Sequence, residues 1–195
     1  MDKPILHFLD IETTGLDCTK HEIIDITIIS VYPDGVSKVF NSLIHPAHIE
    51  TADPKALEIN GYTPFGWSGA MDMDTAAKQI ATILVSGYVV GYNPSFDWGF
   101  IEAMYNTYQI PLPKRIRLID VMVLVYEHLV PLGLTSLSLN NTRKFLGWST
   151  VNCHTSLQDT RDTMKLYFLL IRFPWYKKIL LKMRNILYKF QGKRL

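Results

Sequence analysis

The order of apolar and polar stretches along the chain predicts strands first, then helices and strands in alternation. Apolar segments at residues 5–10, 22–32 and 36–45 have the length and composition of strands. Pro33-Asp34-Gly35 separates the second segment from the third and is typical of a tight turn. The first 45 residues therefore predict a three-stranded meander that begins a sheet.

Helical periodicity dominates the rest of the chain and is interrupted by two short apolar segments. Apolar side chains recur every three or four positions, which is the spacing of an amphipathic helix. Helices are predicted at residues 54–59, 74–85, 94–108, 121–129, 136–145 and 156–173, and strands at 88–92 and 115–120. The predicted fold class is α/β, with helices flanking a mixed five-stranded sheet.

Composition narrows the class of protein further. The chain has 195 residues, of which 48% are hydrophobic and only 19% charged, so it can bury a core and is not disordered. Cys18 and Cys153 match no CxxC spacing and are expected to be free thiols in a reducing compartment. The first residues do not resemble a signal peptide, and no apolar run reaches the roughly 20 residues needed to span a bilayer. We expect a soluble, cytoplasmic protein with no integral membrane segment.

The net charge of +2 conceals an uneven distribution along the chain. Residues 163–195 hold nine basic residues and no acid, whereas residues 1–162 carry a net charge of −7. Apolar and basic residues alternate with helical spacing across 175–190, which predicts a basic amphipathic helix. This helix could pack on the core, guide nucleic acid by phosphate contacts, or rest on a membrane or a partner protein. We divide the chain into a domain at 1–173 and this helix and tail at 174–195.

Asp10 and Glu12 are the most informative residues for chemistry. They stand at the end of an apolar strand, and residues two apart in a strand share one face. Two adjacent carboxylates repel, and burying either is costly unless a cation compensates their charge. Oxygen ligands of this kind favour Mg²⁺ or Mn²⁺. The pair therefore predicts a divalent metal site, although an exposed acidic strand end would have the same spacing.

Three further residues appear in the same order as in a known family. Asp97 lies in the first turn of a predicted helix, and His154 precedes Asp159 by five positions. With Asp10 and Glu12 these residues resemble the three motifs of the DEDDh family of 3′–5′ exonucleases, which have a ribonuclease H-like fold. The segment from Tyr92 to Phe100 is similar to that of proofreading subunits of bacterial replicative DNA polymerases. The resemblance extends from about residue 4 to residue 168.

The resemblance implies a site in which two Mg²⁺ or Mn²⁺ ions assist hydrolysis. Asp10, Glu12, Asp97 and Asp159 would bind the metal ions, and His154 would act as the general base. Substrate would contact Thr13, Thr14, Leu16, Asn93 and Phe96. Asp120 matches a position that is usually structural, and Asp162 is expected to be a solvated helix acid. Tyr92 departs from the histidine that is common there in the family.

These implications predict an enzyme that releases nucleoside monophosphates from the 3′ end of DNA, with single-stranded or frayed ends favoured. An exoribonuclease of the ribonuclease T or oligoribonuclease type and a non-catalytic nucleic-acid-binding adaptor remain alternatives. The expected partners are a nucleic acid with a free 3′ end and a DNA polymerase or another replication or repair protein. The sequence leaves the oligomeric state open.

Overall fold

A computed structural model describes residues 4–150 and 155–172 of the chain. The strands are β1 (Leu6–Thr13), β2 (Ile23–Val31), β3 (Ser37–His45), β4 (Met71–Asp72), β5 (Ser86–Gly91) and β6 (Arg115–Asp120). The α-helices of the described residues are α1 (Pro54–Asn60), α2 (Met73–Ile83), α3 (Pro94–Thr107), α4 (Val121–Leu129), α5 (Leu139–Leu146) and α6 (Ser156–Leu170). No helix in these ranges is long and apolar enough to cross a membrane.

The strands form one mixed sheet in the order β4-β3-β2-β1-β5-β6. β1, β2 and β3 are antiparallel neighbours, which confirms the predicted meander. β5 pairs with β1 in parallel, and β6 pairs with β5 in parallel, as expected where a helix connects successive strands. β1 is therefore a central strand, and its C-terminal end lies beside the start of β2.

The predicted mixed sheet flanked by helices is confirmed, with one strand more than the five that the sequence predicts. The sixth is the two-residue β4, which pairs in parallel with the end of β3 through Ile44 and Met71. The loop before β4 is anchored by Trp67, whose Nε1 donates to the Ile24 carbonyl at 2.7 Å. Two residues are too few to show an alternating pattern in the sequence. The strand is therefore recognised only in the structure, where the Trp67 contact holds the preceding loop against β2.

Both faces of the sheet are covered by helices, and each face has its own core. One core contains Leu9 and Ile11 of β1 and side chains of α2 and α3. The other contains Phe8 of β1 and side chains of α4, α5 and α6. Neighbouring residues of a strand point to opposite faces, so the face that carries Phe8 also carries Asp10 and Glu12. The acids therefore lie on the side of the sheet where α6 packs.

The predicted helices are confirmed within a few residues at their ends. Asp53, Asp72, Asp120, Ser138 and Thr155 each cap a helix with a side-chain oxygen that accepts a backbone N–H. α1 ends at Gly61, whose φ of 69° is the left-handed conformation that glycine adopts without strain. The helix predicted across residues 175–190 lies outside the described residues, and the boundary at residues 173–174 stays a prediction.

Candidate active site

The packing of α6 along β1 brings Asp159 to the two strand acids. The rings of Tyr167 and Phe8 meet at 5.5 Å, which aligns the middle of α6 with the middle of β1. From Tyr167 back to Asp159 the helix advances about 12 Å at 1.5 Å per residue. From Phe8 to Glu12 the strand advances about 13 Å at 3.3 Å per residue. The first turn of α6 therefore lies over the carboxyl end of β1.

Asp10, Glu12 and Asp159 form a compact group of three partly buried carboxylates. Each contributes an oxygen, and these oxygens all lie within 4.8 Å of one another. Asp10 and Asp159 are 149 positions apart in the sequence, so the tertiary fold creates the group. Three carboxylates at this spacing match the all-oxygen donor set of a divalent cation.

Asp97 reaches β1 from the first turn of α3. It is only 4% exposed, and its Oδ1 accepts a hydrogen bond from the Ile11 backbone N–H at 3.1 Å. Ile11 is the residue between Asp10 and Glu12, so Asp97 contacts the strand next to both acids. Its carboxylate stands beside the group of three, and its charge acts on Asp10 and Glu12.

Asp25 is a further acid at this site that the sequence analysis did not identify. It lies on β2 directly opposite Glu12 and is buried. Its Oδ2 accepts from the Ser156 backbone N–H at 3.1 Å, which ties the start of α6 to the sheet. Ser156 also shares a hydrogen bond of 2.8 Å with the Thr27 hydroxyl. The sequence does contain an indication of this role, because Asp25 interrupts the apolar run of Ile23, Ile24 and Ile26. A carboxylate buried in such a strand requires a hydrogen-bond partner or a cation.

Burial and mutual repulsion make these acids hard to ionise in the absence of a cation. Burial raises the pKa of Asp10 well above its usual range, and the charges of Asp97, Asp159 and Glu12 raise it further. Burial, with the charges of Asp159 and Asp25, raises the pKa of Glu12 to about 8. Burial also raises the pKa of Asp97 to about 7. A divalent cation would reverse this effect because it stabilises the ionised form of every ligand.

Asp162 is not the solvated helix acid that its sequence position predicts. It is buried, and its Oδ2 accepts from Arg143 Nε at 2.8 Å and from Gln158 Nε2 at 3.0 Å. Arg143 comes from α5, and its other donor group contacts Asp159 Oδ1 at 2.7 Å. The prediction is wrong because residues three apart on a helix lie on the same face. Asp162 and Asp159 therefore both contact the buried Arg143.

The turn after β1 is held by its own threonines. The Thr13 hydroxyl donates to the Gly15 carbonyl at 2.6 Å, and the Thr14 hydroxyl accepts from the Glu22 N–H at 2.9 Å. At Gly15 an added Cβ would lie 2.6 Å from the His21 ring, so this position has no room for a side chain. Leu16 follows and is 81% exposed. The turn therefore presents an isolated apolar side chain on a rigid support.

Asn93 and Phe96 lie where β5 passes into α3. Asn93 is exposed, has a φ of 66°, and donates its backbone N–H to Asp120 Oδ1 at 3.1 Å. Asp120 also caps α4, which is the structural role expected for it. Phe96 is partly buried against Phe100, with 5.1 Å between ring centroids. His154 and Cys153 lie outside the described residues, and Cys18 is a free thiol.

Comparison with known proteins identifies the family of this chain. The RNase_T family model, described as Exonuclease, matches residues 7–167. The PolC-type DNA polymerase III of Streptococcus pyogenes is 29% identical over 102 residues, which cover 52% of this chain and 7% of the polymerase. The chain thus matches only a small part of that relative's length.

Solved structures of E. coli exonuclease I have the same fold. The complex with a dT13 oligonucleotide has a TM-score of 0.75 at 18% identity and covers 87% of this chain and 41% of that chain. The zinc-bound complex with single-stranded DNA has a TM-score of 0.73 at 19% identity, with 91% and 42% covered. The family match extends over most of the sequence and includes Asp10, Glu12, Asp97 and Asp159. The chain therefore belongs to the exonuclease family, as a DEDDh-type 3′–5′ exonuclease with a ribonuclease H-like fold.

Proposed function

We propose that this chain is a two-metal-ion exonuclease that releases nucleoside monophosphates from the 3′ end of DNA. The observation that carries the proposal is the meeting of Asp10, Glu12 and Asp159 within 4.8 Å, with Asp97 hydrogen-bonded to the same strand. These acids come from three separate elements and converge at one end of β1. Such convergence of buried carboxylates is costly without cations, which makes a structural role for the group a poor explanation.

The donor set fits Mg²⁺ or Mn²⁺. All the candidate ligands are carboxylates. Burial raises the pKa of Asp10, Glu12 and Asp97, and neighbouring acids raise the pKa of Asp10 and Glu12 further, so a cation would supply the charge that their ionised forms lack. Asp10, Glu12, Asp97 and Asp159 would hold the two ions. When bound, divalent cations polarise the phosphate and lower the pKa of the attacking water. Four carboxylates and two dications would leave the site close to neutral for an anionic phosphodiester.

The protein residues would position and deprotonate the attacking water. His154 would accept the proton of that water, since the ordinary pKa of histidine near 6.5 suits proton removal at neutral pH. The water oxygen bonds to phosphorus as the bond from phosphorus to the preceding 3′ oxygen breaks. The 3′ oxygen takes up a proton from solvent, and the products are a nucleoside 5′-monophosphate and a shortened strand with a new 3′-hydroxyl.

The turn at Thr13, Thr14 and Leu16 would select a strand end. Both threonine hydroxyls have partners within the turn, so they would act by holding it in place beside the acids. Leu16 would pack against the terminal base, because it is the exposed apolar side chain of that turn. Asn93 and Phe96 would contact the scissile phosphate region and the terminal nucleotide from the start of α3, within one turn of Asp97.

DNA is the proposed substrate because the similar proteins are a DNA polymerase and a nuclease bound to DNA. One relative is a DNA polymerase III, and the exonuclease I structures hold single-stranded DNA. A single strand or frayed end would suit a site in which Leu16 must reach an unpaired base. The same relative supports a DNA polymerase as a partner of this chain, and the oligomeric state stays open.

The test uses single-stranded DNA and RNA oligonucleotides of one sequence, each labelled at the 5′ end or at the 3′ end. With Mg²⁺, the 5′-labelled DNA should give a ladder that shortens from the 3′ end, and the 3′ label should appear at once as mononucleotide. The Asp10→Ala variant should give neither product. Asp34→Ala, which removes an acid from the distant hairpin turn, is the matched control and should keep the wild-type rate.

The products distinguish the proposed function from each alternative. Faster shortening of RNA than of DNA would favour the exoribonuclease. Cleavage products from inside the strand would indicate an endonuclease. Binding of oligonucleotide without any product, at any Mg²⁺ or Mn²⁺ concentration, would indicate a non-catalytic adaptor and would refute the proposal.

A further inference from the structure

We propose that Arg143 is a positioning residue that holds Asp159 in orientation for a divalent cation, and that Asp162 compensates its charge. This inference rests on the proposed function, because it names how one ligand of the proposed metal site is held. Arg143 lies on α5 and contacts neither Asp10 nor Glu12 in the hydrogen bonds described for it. Its proposed role is therefore exerted through Asp159.

The burial of Arg143 is the first observation. Its side chain is only 1% exposed, and it is the largest fully buried side chain among the described residues. Taking an arginine out of water is costly unless anionic partners and hydrogen bonds compensate. Its two partners are Asp159 and Asp162, at 2.7 and 2.8 Å, on one face of α6. The planar guanidinium thus spans two acids in a geometry that a lysine cannot reproduce.

The contact with Asp159 restricts that carboxylate. Arg143 binds Oδ1, which fixes the rotation of the carboxylate about its last torsion while an oxygen remains within 4.8 Å of Asp10 and Glu12. Metal ligands are commonly oriented in this way by hydrogen bonds from residues that do not touch the metal. An aspartate with a free torsion would have to be ordered at the moment of metal binding, which lowers affinity.

Asp162 explains how the positively charged side chain of Arg143 can lie beside a site that binds metal cations. A lone arginine would repel the metal and cancel part of the negative charge that attracts it. The Arg143–Asp162 pair is neutral as a whole, so Asp159 keeps its charge for the metal. Gln158 donates to the same oxygen of Asp162 and holds it in place. The arrangement orients a ligand without weakening the potential of the site.

The position of Arg143 is itself fixed by Tyr92, the residue that departs from the family pattern. The Tyr92 hydroxyl donates to the Leu137 carbonyl and lies 3.1 Å from the hydroxyl of Thr142, the neighbour of Arg143. Thr142 is completely buried and also donates to the Ser138 carbonyl at 3.1 Å. The end of β5 is thereby tied to α5, and α5 to α6 through Arg143.

The decisive variant is the double substitution R143M/D162L, which removes the buried pair and replaces it with apolar side chains. Replacing a buried ion pair in this way is often neutral for stability, so the melting temperature should stay close to that of the wild type. Mn²⁺ affinity, measured by electron paramagnetic resonance of free Mn²⁺ without any substrate, should fall about 10- to 100-fold. R161M, a change to the exposed arginine that precedes Asp162 on α6, is the matched control and should bind Mn²⁺ as the wild type does.

A second variant keeps the test decisive if the double variant does not fold. R143K retains the charge but can contact only one acid well. Its Mn²⁺ affinity should fall several-fold in a protein that still unfolds cooperatively, at a melting temperature below that of the wild type. Wild-type Mn²⁺ affinity in R143K and in a folded double variant would overturn the role of Arg143 and leave the proposed function intact. Absence of Mn²⁺ binding by the wild type would overturn both.

Discussion

The two sides of the candidate site are built in different ways. On the strand side, Asp10 and Glu12 are two residues apart on β1 and need only the local geometry of a strand to stand together. On the helix side, Asp159 is brought in by α6, which is anchored to β2 at Ser156 and to α5 through Arg143. The strand side is thus a source of repulsion, and the helix side is a source of compensating contacts.

This difference determines what each side contributes to stability. The strand acids have few favourable partners, and burial raises the pKa of both. Asp159 is ion-paired with a buried arginine. Removing a charge from the strand side should therefore lower activity and raise the stability of the metal-free protein. Removing the charge of Asp159 should lower both. Five predictions test this contrast.

Asp10→Asn should have the largest effect on activity and the opposite effect on stability. Loss of a charged ligand should slow 3′-end release roughly 1000-fold, equivalent to about 4 kcal/mol of transition-state stabilisation. The metal-free protein should melt at a higher temperature than the wild type at pH 8, because one member of the repelling group becomes neutral. Single-turnover kinetics and thermal melting in EDTA measure both effects. An active variant, or one with a lower melting temperature, would contradict the assignment of the strand side.

Asp159→Asn should reduce activity about 100-fold and should also reduce stability. Relief of repulsion with Asp10 and Glu12 favours the variant, but the buried Arg143 loses a charged partner, which costs about 1–3 kcal/mol. The net change in melting temperature should therefore be negative, opposite in sign to that of Asp10→Asn under the same metal-free conditions. Equal shifts in the two variants would show that the two sides do not differ.

The stability of the metal-free protein should fall as pH rises from about 4 to about 8. The folded state keeps protons on Asp97 up to a pKa of about 7 and on Glu12 up to about 8, whereas the unfolded chain releases them near pH 4. The folded state therefore binds more protons in this window, and its free energy of unfolding decreases by a few kcal/mol. Thermal melting at pH 5, 6, 7 and 8 in EDTA measures the decrease.

Mg²⁺ or Mn²⁺ should remove most of this pH dependence. A cation that binds the ionised carboxylates raises the melting temperature, and the rise should be larger at pH 8 than at pH 5, where protons compete for the same oxygens. The control is a buffer without divalent cations, in which KCl supplies the same ionic strength, because it separates specific metal binding from general screening of charge. A metal-induced shift of the same size at both pH values would contradict the raised pKa values.

Thr27→Val should have the smallest effect and tests the anchor of α6. The substitution removes the hydroxyl that contacts Ser156 at 2.8 Å and accepts from Asn41 Nδ2 at 2.8 Å. The expected cost is about 1–2 kcal/mol of stability, with a loss of activity of a few-fold as Asp159 becomes less well placed. Thr27→Ser keeps the hydroxyl and should restore both values. Similar results for the two variants would exclude the hydrogen bonds as the cause.

Local pattern was sufficient where neighbouring residues determine the outcome. The hairpin at Pro33-Asp34-Gly35 and the amphipathic helix that begins at Pro94 follow from turn chemistry and periodicity, and the structure confirms them. The pairing of Asp10 with Glu12 on one face follows from strand geometry alone. The order of the acidic motifs along the chain was enough to indicate the family.

Local pattern failed where burial comes from a distant segment. Asp162 has the sequence neighbours of a surface acid, and its partner Arg143 lies 19 positions away on another helix. Asp25 lies in a strand whose residues are buried on both faces, so alternation could not reveal its orientation. β4 exists only because the loop around Trp67 packs on β2.

The sequence by itself determined the elements, the acid pair on β1 and the membership of an exonuclease family, because these depend on contacts between near neighbours and on the order of motifs. The resemblance to that family also predicted Asp159 as a ligand beside them, and the fold brings its carboxylate there. Only the tertiary structure decided that Asp25 stands opposite Glu12, and that Arg143 and Asp162 form a buried pair behind the site. The physical reason is that the free energy of a buried charge depends on which charges surround it in space. That arrangement is set by the packing of α5 and α6 on the sheet.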